Sequence, residues 1–492
     1  MPKRRRASAA PGPPTPATRP RPSSEPGAPH GRGYQSSDAI PRFVLDLDQP
    51  CDERWQAVAH AFRPTFQRLV ARNKDLLEAV RANAVASAPP PPACPPGYLQ
   101  EVHALAALLR QPAALLWSLQ LSYEAFALTQ LPGDACGCTS AAVDCDDGVV
   151  HARTLDWAWL DGMDSLLVDL DVRRRGELLY RCTSVVGFVG VLTGMRAGGS
   201  SPGGGVGGFS LSLNYRRPFS GAWEDGWPAL ELPPPRKNPF IAASKRHAAR
   251  GAIPVALALR LALETCSSYE SACSMLLSTP LLAPCYILAA GGRPGEAVLL
   301  TCGLGTARTE QHIVPGGVLC VTNLDPSPEE TPSLPEPTCG TFGSVEAKDF
   351  IQGESLLRRD MMLKILRRAR ASAMRGASSS AAALGFTACA NAMATSPISN
   401  SSTLHTTIMC PALEVFVSQR SDGPKKFESH GFAADTALCE TCFRCDRRVA
   451  CIDVNSASAV ESGPGSLLRR RGGAYYCWTH LPLRQKDLSF RA

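Results

Sequence analysis

The sequence predicts a layered domain of mixed structure, α/β or α+β, and three observations predict it. Helical periodicity dominates residues 52–128. Strand-like runs then recur from Cys138 to about residue 420, several bracketed by turn residues. Helical stretches at 254–278 and 353–375 interrupt those strands, the mixture expected when helices cover a sheet. The 492 residues, 44% of them hydrophobic, suffice for several domains and a large core.

Residues 1–38 are rich in Pro, Arg, Ser and Gly and read as a disordered basic tail. Residues 1–32 hold seven Lys or Arg against one Glu, seven less one, and so supply six of the net +7. The rest is nearly neutral, and no nucleic-acid partner is expected. The basic start is followed by no apolar run, so no signal peptide is recognised and a non-secretory location is expected.

Phe43, Leu45 and Leu47 alternate with Val44, Asp46 and Asp48 and predict one short strand. Helical periodicity runs from Asp52 to about Ser87, a proline-rich linker covers 89–96, and further helices span 98–109 and 112–128, Pro112 standing at a helix start. Together, residues 39–137 read as a helical segment. Its most apolar part, 104–131, is broken by Arg110, Pro112 and Glu124 and falls short of the ~18 uninterrupted residues of a membrane span. From Cys138, TSAAVDC and VVHARTL flank Asp146-Asp147-Gly148, a hairpin signal. Further strands are expected at SLLVDLDV, ELLYRCTSVVGFVGVLTGM, FSLSLNY, CYILAAGG, EAVLLTC, VLCVTNLD, TLHTTIMC and LEVFVSQ, with GGSSPGGGVGG as a flexible insert.

The hairpin sets Cys138 at the same end of two strands as Arg153 and Asp156. A neighbouring cation favours thiolate, the nucleophilic form of cysteine. His151 shares the face of Arg153 and is more simply a core histidine. Another base exists if the chain is cut before Cys138, because a freed α-amino group has a reference pKa near ~7.7–8.0. One residue then supplies both nucleophile and base.

Here the chain resembles the N-terminal-nucleophile amidases of the acid ceramidase and N-acylethanolamine acid amidase family, whose pattern is Cys-Thr-Ser … His-Gly-Arg-Asn-x-Asp. This chain has Cys138-Thr139-Ser140 … His151-Ala152-Arg153-Thr154-Leu155-Asp156, departing at Ala152 and Thr154. VLDLDQPCDERW (44–55), LSYEAFA (121–127), VVGFVGVLTGM (185–195), LETCSSYESACSMLLSTPLLAPCYIL (263–288), VTNLD (321–325) and LLRRD (356–360) resemble further family segments in order. The likeness covers about residues 39–420.

The resemblance implies a four-layer αββα N-terminal-nucleophile hydrolase core, residues 138–425, behind a helical prosegment, residues 39–137. It implies cleavage between Gly137 and Cys138 into a two-subunit heterodimer, and hydrolysis of an N-acyl lipid amide, ceramide or an N-acylethanolamine, to a fatty acid and an amine. Cys138 is then nucleophile and, through its amine, base. Arg153 and Asp156 orient it, Asn323 donates to the oxyanion, and Arg358 stabilises the site electrostatically. No cofactor is needed for catalysis. The lipid substrate suggests action at a membrane surface. Helices 104–128 would suit that, although packing onto the sheet explains them more simply.

The family's lysosomal setting conflicts with the missing apolar leader. Where ceramidases carry Asn-Glu-Arg, this chain has Asn214-Tyr215-Arg216. Asn214 and Tyr215 are therefore candidate substrate or oxyanion residues. Tyr215 also keeps open a hydrolase for polar acyl amides, as in penicillin V acylases or bile-salt hydrolases. A third reading is an uncut amidase fold acting as an adaptor.

The chain has 19 cysteines, an odd number, and fourteen show no framework spacing, which favours reduced thiols. The other five crowd a C-terminal module at 435–485. There Cys442, Cys445, Cys477 and His480 have the types and paired spacing of a closed structural zinc site.

Overall fold

The computed structural model of the chain describes residues 40–128 (except 84 and 86), 137–198, 207–216, 239–324, 347–373, 381–421 (except 396 and 401), 468–471 and 474–477. The expected basic tail, residues 199–206 of the glycine-rich insert, and Cys442, Cys445 and His480 lie outside these residues.

The N-terminal segment begins with strand β1 (Arg42–Asp46), followed by helices α1 (Cys51–Arg54), α2 (Gln56–Arg72), α3 (Lys74–Ala82), α4 (Pro96–Leu109), α5 (Ala113–Gln120) and α6 (Ser122–Leu128). Next come β2 (Gly137–Cys145), β3 (Gly148–Asp156), β4 (Leu167–Arg174), β5 (Glu177–Val185), β6 (Thr193–Arg196) and β7 (Phe209–Tyr215). Helices α7 (Pro239–Ala249), α8 (Val255–Thr265) and α9 (Tyr269–Ser278) precede β8 (Cys285–Gly291), β9 (Ala297–Cys302), β10 (Arg308–His312) and β11 (Val318–Val321). Helices α10 (Ala347–Ala373) and α11 (Ala381–Met393) lead to β12 (Thr403–Cys410) and β13 (Val415–Arg420). A separate hairpin, β14 (Leu468–Arg471) and β15 (Ala474–Cys477), contains the backbone of Cys477.

The strands form an eight-stranded sheet, β1-β4-β5-β6-β7-β8-β9-β10, and a five-stranded sheet, β11-β2-β3-β12-β13. Side-chain alternation along each strand assigns the faces. Ala142 and Val149 of the smaller sheet meet Tyr286, Leu288 and Leu299 of the larger one. The opposite face of the smaller sheet (Ala141, Val143, Ala152) packs on Met361, Leu366 and Cys389 of α10 and α11. The outer face of the larger sheet packs on the helices α2, α4, α5 and α8 in the largest core cluster. The order of layers is helix, sheet, sheet, helix.

Two local signals show how the sequence sets these elements. Gly148 turns the β2–β3 hairpin at φ +121°, where a Cβ would also lie 2.7 Å from the Gly292 carbonyl oxygen, so glycine is required twice over. The helical stretch at 254–278 is two helices, because Ser268 caps α9. Its hydroxyl accepts from Ser271 N–H at 3.2 Å, and the Ser271 hydroxyl accepts from Ser268 N–H at 3.0 Å.

The N-terminal segment is part of the main core. Strand β1 pairs in parallel with β4, from Arg42 opposite Asp169 to Asp46 opposite Arg173. Glu101 of α4, 1% exposed, binds Arg260 of α8 through two 2.8 Å contacts and takes a 2.6 Å bond from Arg54 and a 2.9 Å bond from Trp55 Nε1. Burial raises the Glu101 carboxyl, but the paired guanidiniums and these donors bring it below the usual range. The apolar helices α5 and α6 are likewise buried against the sheet domain rather than facing solvent. Among the described residues, no helix is long and apolar enough to cross a membrane.

Candidate active site

The β2–β3 register places Cys138 opposite Leu155, Ser140 opposite Arg153 and Gly137 opposite Asp156. With a period of two, Cys138, Ser140, Arg153 and Leu155 face the larger sheet, while Thr139 and Asp156 face α10 and α11. Arg153 and Asp156 are three positions apart, so they approach Cys138 from opposite faces of the sheet.

On the sulfur side, Arg153 Nη2 donates to Cys138 Sγ at 3.4 Å and to Leu213 O at 2.5 Å. Nη1 donates to Leu192 O and Thr193 Oγ1. Arg153 is 1% exposed, and all its oxygen acceptors are neutral. A buried cation without a carboxylate partner is costly. It is also a preset source of positive potential beside the sulfur.

On the backbone side, Cys138 N–H donates to Asn323 Oδ1 at 3.0 Å, and Arg358 Nη1 donates to the Cys138 carbonyl at 2.9 Å. Arg358 Nη2 donates to Asn323 Oδ1 at 2.8 Å, while Nη1 also reaches Thr139 Oγ1 at 3.1 Å and Asp156 Oδ2 at 3.5 Å. Two donors converging on Asn323 Oδ1 fix its amide orientation. Its Nδ2 donates to Tyr215 O at 2.8 Å. In the uncut chain Asn323 thus accepts from the cysteine amide, and the group expected to donate to an oxyanion is already engaged.

Asp156 is held by Thr403 Oγ1 at 2.6 Å and Asn400 Nδ2 at 3.0 Å. Burial raises its carboxyl above the ordinary value, against the pull of Arg358, Thr403, Asn400 and Arg153. Ser355 fixes Asn323 from behind, accepting its backbone N–H at 3.0 Å. Sequence reading missed Thr193, Ser355, Asn400 and Thr403. Each lies far along the chain from Cys138, and only the fold brings them near.

His151 is a pin between the sheets, with Nδ1 2.9 Å from Ser210 Oγ and Nε2 2.8 Å from Ser212 Oγ. Burial, with the Arg153 charge, pushes it down to about 3, so it is neutral at ordinary pH and is no base for Cys138. Asn214 also departs from expectation. Its Oδ1 accepts from Ser140 Oγ at 2.6 Å and its Nδ2 donates to Val321 O and Thr322 O at 3.2 and 3.3 Å. The amide is consumed in joining the sheets and leaves no donor for a substrate.

Tyr215 does line the cleft over Cys138. That cleft encloses about 310 Å³ between Tyr123, Phe126, Gly137, Arg153, Asp156, Trp157 and their neighbours. Its walls Leu155, Trp157 and Leu192 also border a second, apolar cavity of about 580 Å³ that runs to Phe66, Leu77 and Met163. Both spaces are lined mainly by apolar side chains, as small-molecule sites are. Among the described residues, no group of three metal-ligating side chains converges.

Comparison with known proteins agrees with the motifs. Residues 38–88, covering β1 and α1–α3, match the family model for the beta subunit of N-acylethanolamine-hydrolyzing acid amidase. Acid ceramidase of Homo sapiens is 25% identical over 294 residues, which are 56% of this chain and 65% of that protein. The Mus musculus acid ceramidase is 25% identical over 300 residues, 56% of this chain and 66% of its own length. These matches span slightly less than two thirds of the relatives. A solved Caenorhabditis elegans N-acylethanolamine-hydrolyzing acid amidase ortholog is 22% identical, with TM-score 0.40, and covers 59% of this chain and 97% of its own. Residues 38–88 and the curated relatives thus make the chain similar to N-acylethanolamine-hydrolyzing acid amidase and to acid ceramidases, in agreement with the ordered motifs.

Proposed function

We propose that this chain is an amidohydrolase that cuts itself before Cys138 and then uses Cys138 to cleave an N-acyl lipid amide. The contact of Arg153 Nη2 with Cys138 Sγ at 3.4 Å, from a buried guanidinium with only neutral oxygen partners, carries the reading. In self-cleavage, the sulfur attacks the Gly137 carbonyl carbon, an S–C bond replaces the C–N bond, and water then releases the Gly137 carboxylate. The new Cys138 amine inherits the Asn323 Oδ1 acceptor.

In turnover, that amine takes the thiol proton and the sulfur attacks the acyl carbonyl. The proton passes to the departing amine, and water cleaves the thioester to the fatty acid. Arg153 opposes the charge of the attacking sulfur. Arg358 holds the backbone of the nucleophile, Asp156 holds Arg358, and Asn323 Nδ2 exchanges Tyr215 O for the substrate oxygen. The cleaved product is a two-chain heterodimer. The apolar cavity beyond Trp157 favours a lipid acyl chain, ceramide or an N-acylethanolamine. Tyr215 supports a second reading, a polar acyl amide, because it puts an aromatic ring and not a carboxylate over the cleft.

Intact mass after incubation at pH 4.5 and 7.5 tests the cleavage. A fragment starting at Cys138 is expected, and persistent full-length chain at both pH values favours the adaptor reading. Ceramide, palmitoylethanolamide and penicillin V assayed side by side separate the substrates. Hydrolysis that survives Cys138→Ala would sink the mechanism.

A structural zinc at Cys442, Cys445, Cys477 and His480 is a separate proposal. Elemental analysis of the full chain, before and after substitution of Cys442, tests it, and absence of zinc ends it.

A further inference from the structure

Four residues stand abreast across the larger sheet: Tyr215, Cys285, Cys302 and Arg308 are successive register partners on β7, β8, β9 and β10. Cys285 and Cys302 share the helix-side core with Tyr215 and are both fully buried. Their side chains leave the same face of neighbouring strands at directly opposed positions, and the Cys302 thiol donates to the Leu300 carbonyl at 3.8 Å. Neither has a part in the amide chemistry.

The two thiols share their charged neighbours, because Arg308 and Arg216 act to lower both. Burial raises Cys302, but the adjoining Cys285 thiol and the charges of Arg308 and Arg216 together bring it below its ordinary value. Arg216 Nη1 also donates to the Cys302 carbonyl at 2.9 Å. Burial, reinforced by the neighbouring Cys302, pushes Cys285 up. Two directly opposed thiols under the positive charge of Arg308 and Arg216 favour thiolate at one of them and leave the other to resolve it.

We propose that Cys285 and Cys302 are a redox dithiol that closes into a cross-strand disulfide. Directly opposed residues hold their Cβ atoms ~4.5–5.5 Å apart, and a disulfide needs ~3.5–4.5 Å, so closure requires only a small local approach of β8 and β9. The oxidant is a small hydroperoxide. The Cys302 sulfur attacks a peroxide oxygen, the S–O bond forms as the O–O bond breaks, and water leaves. The Cys285 sulfur then attacks the sulfenic sulfur, the S–S bond replaces the S–O bond, and a second water leaves. Two thiols and one hydrogen peroxide give one disulfide and two waters. Access is through the edge: Cys302 is one strand in from β10, whose side chains are mostly exposed. The site does not depend on the amidase reading.

The test uses the full chain, reduced, desalted and exposed to graded hydrogen peroxide. It is then unfolded in N-ethylmaleimide and digested with a glutamate-specific protease. Cleavage after Glu296 separates the two cysteines. A linked Cys285–Cys302 peptide pair, two hydrogens lighter than the separate thiol peptides and lost on treatment with dithiothreitol, is expected. Cys302→Ser should leave Cys285 alkylated. If that variant fails to fold, the wild-type map decides alone. Both thiols still alkylated at peroxide doses that already oxidise Cys138, or either one linked elsewhere, overturns the proposal.

Discussion

Arg153 reaches the Cys138 sulfur at 3.4 Å, while its other acceptors, the Leu192 and Leu213 carbonyls and the Thr193 hydroxyl, are neutral. No hydrogen bond to a carboxylate neutralises it among the described residues, so its positive charge bears on the sulfur. Arg153→Met is expected to lower single-turnover hydrolysis by about 10²–10³-fold, as for loss of a preset charge-stabilising group. Arg153→Lys should recover only part, because one ammonium cannot span the same acceptors. A rate near wild type in folded Arg153→Met protein, checked by thermal melting, contradicts this role.

Gly137 sits where a Cβ would be 3.3 Å from both Arg358 Nη2 and Asp156 Oδ2. Gly137→Val should displace these groups, and with them the Arg358 Nη1 bond to the Cys138 carbonyl, and slow self-cleavage by about 10²-fold, the scale of a 1 Å misplacement. Intact-mass time courses measure it, and unchanged kinetics would count against the Arg358–Asp156 role.

Glu124 of α6 is fully buried, with Oε1 accepting Val255 N–H at 2.8 Å and Oε2 without a partner among the described residues. Burial pushes its carboxyl up to about 7, against the backbone bonds that lower it. A raised carboxyl binds its proton more tightly in the folded state, so its contribution is full below about pH 4 and falls as pH rises to about 7. The loss is about 3 kcal/mol at most. Glu124→Gln should flatten this slope, so the variant's Tm relative to wild type rises from pH 4 to pH 8. Parallel Tm profiles would refute it.

Glu101→Leu removes both Arg260 Nη contacts and leaves that guanidinium to Glu264 Oε1 at 2.7 Å; it should cost ~3 kcal/mol, the low end for breaking a buried ion pair. Adding Arg260→Met should restore part of that. Urea midpoints of the two variants check it, and a double variant no better than Glu101→Leu contradicts the pairing.

Met163 lines only the distal apolar cavity. Met163→Trp should depress kcat/KM for long-chain acyl amides by about tenfold relative to short ones, the loss expected when chain methylenes no longer fit. An equal fall for both lengths would place the acyl chain elsewhere.

The β2–β3 hairpin was legible because Asp146-Asp147-Gly148 and the flanking alternation are local signals. The opposed faces of Arg153 and Asp156 follow from their spacing of three, yet motif reading groups them as one unit. Strand β10, RTEQH, carries no apolar alternation and is made by its edge position, so the sequence does not announce it. Helix α11, AAALGFTACANAM, has the alanine-rich composition that favours a helix and passed unremarked. Residues 39–137 read as a separate piece because their helices are contiguous. The parallel β1–β4 pairing that ties them in joins residues more than a hundred positions apart. Asn214 looked like part of the site through its neighbour Tyr215, and strand alternation sends it to the other face.

Strand β1 gives the proposed cleavage a physical consequence. A cut at Gly137–Cys138 would leave one continuous sheet built from two polypeptides, with β1 donated by the first to the second. The pieces would behave as complementing fragments and not as docked subunits. Their lifetime together would be set by the rate at which the whole body unfolds. Dilution alone should not separate them, and a mixture of differently tagged heterodimers should exchange partners only as fast as the protein denatures.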